Sequence, residues 1–138
     1  MLPGRLIAIP LLSLAMTGHA AAQSAPATDL LTGSSNGTPF VSGGVGQEQQ
    51  AAIKALRADY NLLLTFANKS GEYRANVEVA VLDQAGNVRF AENKAGPLLY
   101  MRLAPGSYRV DARSEGVQQT RQVSVPAGGQ RELAFTWD

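Results

Sequence analysis

From Leu62 to Trp137 apolar residues recur at every second position in short runs, and this period constrains the chain more than any other feature of its sequence. The runs are "LLLTFA" (62–67), "NVEVAVLD" (76–83), "NVRFAE" (87–92), "PLLYMRL" (97–103), "SYRVDAR" (107–113), "QTRQVSV" with Val125 (118–125) and "RELAFTW" (131–137). A period of two sends alternate side chains to opposite faces of a strand, so one face of each run can be buried while the other meets water. Val77, Val79 and Val81 thus oppose Asn76, Glu78 and Ala80, and Tyr108, Val110 and Ala112 oppose Ser107, Arg109, Asp111 and Arg113. Leu133, Phe135 and Trp137 oppose Glu132, Ala134 and Thr136 in the same way. The interruptions, Asp83 to Asn87, Ala104-Pro105-Gly106, Glu115-Gly116 and Pro126 to Gly129, combine the fixed φ of proline with glycine's tolerance of positive φ and suit tight turns. Seven short strands so spaced predict a mainly β chain folded as a two-sheet sandwich. A two-residue turn at Glu115-Gly116 would set Arg121 opposite Val110, on the core face. Either that loop is longer, or Arg121 lies near a sheet margin with its stem on apolar surface and its head in water.

Ahead of the strands the period changes. Ile53, Leu56 and Tyr60 recur at three and four residues, thickened by Ala51, Ala52 and Ala55, which predicts one amphipathic helix of about three and a half turns beginning near Gln47. It is expected to close one end or one edge of the sandwich. Glu48 and Arg57 suit its two ends by charge. Residues 23–39, "QSAPATDLLTGSSNGTP", offer little apolar surface to offset the entropy of ordering and read as a flexible leader. Residues 1–22 read as a signal peptide, with Arg5 in a basic region, an apolar stretch "LIAIPLLSLAM" and a small-residue end "GHAAA". The expected location is therefore the periplasm or outside the cell. One domain, residues 40–138, would contain the helix and the sandwich.

The 138-residue chain has no cysteine and a single histidine, His19, inside the proposed signal peptide. Absence of cysteine removes disulfides and the lipid-modified cysteine of a lipoprotein. The chain left after cleavage would lack the usual general base near neutral pH and the common zinc ligands, which removes Ser-His-Asp, Cys-His and zinc-hydrolase chemistries together. With 11 basic and 11 acidic residues beyond residue 22, nothing points to nucleic acid, and no later run reaches the length of a membrane span.

Several short patterns imitate chemical motifs. Gly43-Gly44-Val45-Gly46 runs into the helix like a nucleotide loop, but Gln49 stands where a third glycine belongs and only Phe40 to Ser42 precede it, so the segment reads as a hinge or helix cap. Gly33 to Gly37 spells G-x-S-x-G without the flanking strand and helix of a nucleophile elbow. Asp83 and Asn87 flank a glycine, yet without the alternating acids of a calcium loop they read as a hairpin turn. Glu78, Glu92 and Asp111 are the carboxylates from which a glycosidase-like pair would have to be drawn, and alternation turns them to solvent.

The run from "NVEVAVLDQAGNV" through "LLYMRLAPGSYRVDARSEGVQQTRQVSVPAGGQRELAF" resembles the carboxypeptidase regulatory-like domain, a small transthyretin-like (prealbumin-like) sandwich. The likeness rests on the V-x-V strand with its D-x-x-G turn (Val77 to Gly86), L-x-P-G-x-Y-x-V (Leu103 to Val110) and V-x-V-P-A-G-G (Val123 to Gly129). With the glycine-led helix, which is similar to the start of small exported proteobacterial proteins carrying this domain, it covers about residues 40–138. The resemblance implies a seven-stranded sandwich serving as a binding or structural module without catalytic residues or a cofactor. The related hydroxyisourate hydrolases depend on histidines and a C-terminal tyrosine-containing tetrapeptide, both missing here.

Arg102, Arg109, Arg113, Arg121 and Arg131 crowd the C-terminal half. Arg102, Arg109 and Arg113, with Tyr100 nearby, are the candidate partner-binding surface, since arginine takes carboxylates in bidentate fashion. Solubilising charge on an exposed sheet is the alternative account of these arginines. The expected function is a non-enzymatic exported module that binds a protein or cell-envelope component. A carboxylate-dependent or metal-assisted hydrolase of envelope glycans, and a structural domain that forms a homodimer through sheet edges, are the other readings. No catalytic, cofactor or metal site is expected.

Overall fold

The computed structural model describes residues 30–138, so the proposed signal peptide and the first part of the leader lie outside the described residues. Among the described residues nine strands are present rather than seven. The elements in chain order are β1 (Leu31–Ser35), β2 (Thr38–Gly43), α1 (Gly46–Lys54), a 3-10 turn (Arg57–Asp59), β3 (Leu62–Asn68), β4 (Val77–Asp83), β5 (Val88–Ala95), β6 (Leu98–Met101), β7 (Gly106–Ser114), β8 (Val117–Val125) and β9 (Arg131–Trp137). A five-stranded sheet ordered β1-β2-β6-β3-β9 faces a four-stranded sheet ordered β5-β4-β7-β8 in a sandwich-like arrangement.

The two additional strands correct the flexible leader. Residues 31–39, assigned to it, form β1 and the start of β2, an antiparallel hairpin turned at Asn36-Gly37. Both turn residues have positive φ, 51° and 82°, as a type I′ hairpin demands, and Asn-Gly is the pair that tolerates this best. β2 then pairs with β6, so the hairpin is bound into the first sheet. Its Phe40 reaches the core and meets Phe90 edge-on at 5.2 Å.

Between the sheets lie Leu62, Leu64 and Phe66 of β3, Val77, Val79 and Val81 of β4, and Tyr108, Val110 and Ala112 of β7. Each fully buried aromatic or branched side chain there stabilises the fold by about 1.5–3 kcal/mol. A second, smaller cluster lies on the outer side of the first sheet, where Ile53 of α1 packs on Val41, Leu63, Leu98 and Tyr100. The helix therefore covers a sheet face, not an end or an edge. Strands covered on both sides read as unbroken apolar runs, which is why β6 is buried at all four positions whereas β4 alternates. α1 is also shorter than its periodicity predicts. After Lys54 the bonding tightens to i+3, from Leu56 N–H to the Ile53 carbonyl and from Asp59 N–H to that of Leu56. Leu56 and Tyr60 still pack on the same cluster, so the apolar stripe survives the change of helix type.

Side chains close the margins of the sandwich. Along β8 and β9, Gln119 Nε2 donates to the Thr136 carbonyl (2.6 Å), Arg121 Nη1 to Ala134 (3.1 Å), Arg131 Nε to Ser124 (3.2 Å) and Trp137 Nε1 to Val117 (3.0 Å). At the other margin Ser35 Oγ donates to the Ala91 carbonyl and accepts from its N–H. The Glu115-Gly116 turn is the two-residue hairpin expected, Val110 does face Arg121, and the arginine resolves the conflict at the sheet margin by laying its guanidinium over Phe135. Tyr108 Oη donates to the Ala104 carbonyl at 2.6 Å, which ties the Pro105-Gly106 turn to the strand it starts.

Candidate functional site

The four residues proposed as one surface occupy three places. Tyr100 is on β6, in the middle of the first sheet, 4% exposed and with its ring 6.4 Å from that of Tyr60 under the helix. Burial raises the pKa of its hydroxyl above the ordinary tyrosine value. It cannot stand beside Arg109 and Arg113, which lie on β7 in the opposite sheet. The alternation of "PLLYMRL" concealed this, because a strand with two covered faces has no polar side to mark the outward direction.

Arg109 and Arg113 do share a face. They sit four residues apart on β7, about 13 Å at the usual strand rise. Between them Asp111 pairs with Arg109 at 3.3 Å and accepts from Thr120 Oγ1 at 2.8 Å, so both carboxylate oxygens are engaged. Arg109 borders a depression of about 360 Å³ with Leu82, Asp83 and Gln122. Arg113 borders a furrow of about 190 Å³ whose floor is Ala80 and Ala91, with Glu78 and Asp111 at its rim. Arg113 has no ion-pair or hydrogen-bond partner among the described residues. Of the three candidate carboxylates, Glu78 and Asp111 meet at this furrow, while Glu92 on β5 turns back to accept from the N–H of Lys94.

Arg102 follows β6 and lies at the end of the sandwich. Its Nε donates to the Asp59 carbonyl at 3.0 Å, and it borders a cleft of about 600 Å³ together with Arg57, Tyr60, Asn61, Gly128 and Gln130. The sequence placed Arg57 at a helix end and did not reveal its position at this cleft. Nothing in local sequence could reveal it, since Arg57, Arg102 and the 126–130 loop meet only through tertiary packing.

The glycine-led turn differs from its sequence reading in one respect. A strand, β2, does precede Gly44, so the segment is a link between two packed elements and not a hinge between leader and domain. Gln49 Oε1 accepts from the N–H groups of Gly44 (3.1 Å) and Val45 (3.0 Å), and Gln50 Nε2 donates to the Gly44 carbonyl. Two of the donors a phosphate cradle would need, the N–H groups of Gly44 and Val45, are thus taken by the helix's own Gln49. Gly33 to Gly37 lies on β1 and its hairpin turn, with another strand after it. Asp83 makes the expected turn, its Oδ1 accepting from the N–H groups of Asn87 (2.9 Å) and Ala85 (3.0 Å). These contacts, that of Asn87 foremost, hold its pKa below the usual aspartate value.

Among the described residues no three of His, Cys, Asp and Glu gather as a metal site, and no helix is long and apolar enough to cross a membrane. The margin bonds of β8 and β9 occupy carbonyls that strand pairing with another chain would need, whereas Leu31 to Ser34 of β1 are exposed. No protein-family model matches the chain, and no curated protein matches it.

Proposed function

We propose that the chain is an exported, non-enzymatic binding module of the carboxypeptidase regulatory-like, transthyretin-like type, which engages an acidic protein or cell-envelope component through the outer face of its four-stranded sheet. The observation that carries this reading is the asymmetry of the two outer faces. α1 covers one, while the other presents Arg113, without a side-chain partner among the described residues, beside a small-residue furrow, with Arg109 on the same strand. An arginine fork beside a shallow floor of Ala80 and Ala91 suits an approaching carboxylate, which it can hold bidentately. The resemblance to the domain family supports the non-enzymatic role, as does a sequence whose one histidine lies in the proposed signal peptide.

A photo-reactive side chain at Gln118, whose register partner is Arg113, tests the reading in an envelope extract. It is expected to give a discrete adduct that Arg109→Glu and Arg113→Glu together abolish at unchanged melting temperature, while the same probe at Gln47 on the helix gives none. Adducts indifferent to charge reversal would remove this face from the function.

A further inference from the structure

The geometry points to a second binding site, at the end of the sandwich, for the carboxylate of a small organic acid or a free peptide end. We infer this from the cleft of about 600 Å³ bordered by Arg57 and Arg102, independently of the partner face proposed above.

Its walls are fixed without any ligand. Asn61 clamps Leu103 from both sides, Oδ1 accepting from its N–H at 2.8 Å and Nδ2 donating to its carbonyl at 2.7 Å. Gln130 Nε2 donates to the carbonyls of Arg57 and Tyr60, joining the loop after β8 to the 3-10 turn. The N–H of Arg131 bonds to Asn61 and that of Arg102 to Pro39, so all three segments of the rim are tied to one another or to the first sheet. A site whose walls are already ordered loses little entropy when a ligand enters.

Its chemistry favours an oxyanion. Among the described residues two guanidinium groups line the cleft and no carboxylate does. Arg102 spends Nε on the Asp59 carbonyl, which orients its plane and leaves both terminal nitrogens without an acceptor among the described residues. Arg57 gives Nη2 to Glu132 at 2.6 Å and keeps its other donors. The N–H groups of Gly128, Gly129 and Gln130 also find no acceptor among the described residues. Gly129 has φ +89°, and a Cβ at either glycine would meet nothing within 4 Å, so the loop is small for lack of crowding side chains and leaves its backbone open. Ala58, Ala127 and the Tyr60 ring add an apolar floor. A planar carboxylate matches the two-pronged donor set of Arg102, and a short apolar substituent behind it matches the floor.

The experiment is an NMR titration of the chain with tri-alanine, tri-alanine amide and inorganic phosphate at constant ionic strength. Expected are saturable shifts of the Gly128, Gly129 and Gln130 amides with the free acid, shifts at least roughly tenfold weaker in midpoint with the amide, and loss of about tenfold in affinity in Arg102→Gln. The Trp137 indole resonance, at the far end of β9, reports whether that variant remains folded. Equal response to acid and amide, or tighter binding of phosphate than of tri-alanine, would overturn the carboxylate assignment. The wild-type comparison decides this even if Arg102→Gln does not fold.

Discussion

The guanidinium of Arg121 lies 5.5 Å from the centroid of the Phe135 ring while its Nη1 reaches the carbonyl of Ala134 at 3.1 Å. One cation thus joins the margin of one sheet to the margin of the other, using a position that pairs with a core valine. Arg121→Ala removes a cation–π contact worth about 0.5–1 kcal/mol and a hydrogen bond worth about 0.5–1.5 kcal/mol. The expected loss is about 1–2.5 kcal/mol in urea unfolding. Arg121→Met keeps the stem over the apolar margin and should lose less.

Gly96 lies against Gly43. A Cβ added there would stand 2.7 Å from the Gly43 carbonyl oxygen and 3.1 Å from its Cα, both backbone atoms that cannot swing aside. The N–H of Gly96 also donates to Ser42 Oγ at 2.7 Å, which fixes the approach. Gly96→Ala should cost about 1–3 kcal/mol through overpacking, read as a drop in melting temperature. Gly128→Ala, with open space around it, should leave that temperature unchanged.

Asn61 holds both backbone groups of Leu103, the residue that leads from β6 into the Pro105 turn. Asn61→Ala leaves the pair without partners and should destabilise the fold by about 1–3 kcal/mol. Asn61→Asp keeps the acceptor for the Leu103 N–H and loses the donor to its carbonyl, so it should fall between wild type and alanine in denaturant midpoint.

Asp83 provides a pH dependence of known sign. Its pKa is lowered in the folded chain, first by the Asn87 N–H. The folded state therefore favours the ionised form, and the contribution is present above the ordinary aspartate pKa and lost as pH falls through the lowered one. The carboxyl-carbon NMR titration of Asp83 should have its midpoint below that of an unfolded-chain aspartate. Amide exchange at Ala85 and Asn87 should quicken over the same acid range, and Asp83→Asn should abolish that acid-dependent change.

How far the sequence reveals this molecule depends on whether a residue's neighbours are local. Val77, Val79 and Val81 alternate because β4 has one wet face, and the expected strand is there. Glu115-Gly116 fixed a register, and Arg121 follows from it. β1 escaped notice because Leu31 to Ser34 are exposed and carry no periodicity; it is a strand through its partner β2. The Asn36-Gly37 pair was a legible hairpin signal that a glycine-rich, polar context masked. Tyr100 could not be oriented from a run buried on both faces. The cleft at Arg57 and Arg102 is assembled from three separated segments, and no local pattern encodes such a meeting.

Among the described residues β3 and β9 form the one parallel pair, running side by side from Leu62 and Arg131 to Asn68 and Trp137. Parallel neighbours cannot be joined by a tight turn, and here five other strands stand between them in chain order. β3 and β6 can pair while the rest of the chain is still being made, but the other side of β3 has nothing to bond to until β9 has been synthesised. Phe135 and Trp137, which stack near Phe66, arrive at the same moment. Because pairing over such sequence distances is intrinsically slow, the β3–β9 contact is expected among the last to form. The last strand of the chain thus completes both the hydrogen bonding of β3 and the aromatic packing around Phe66.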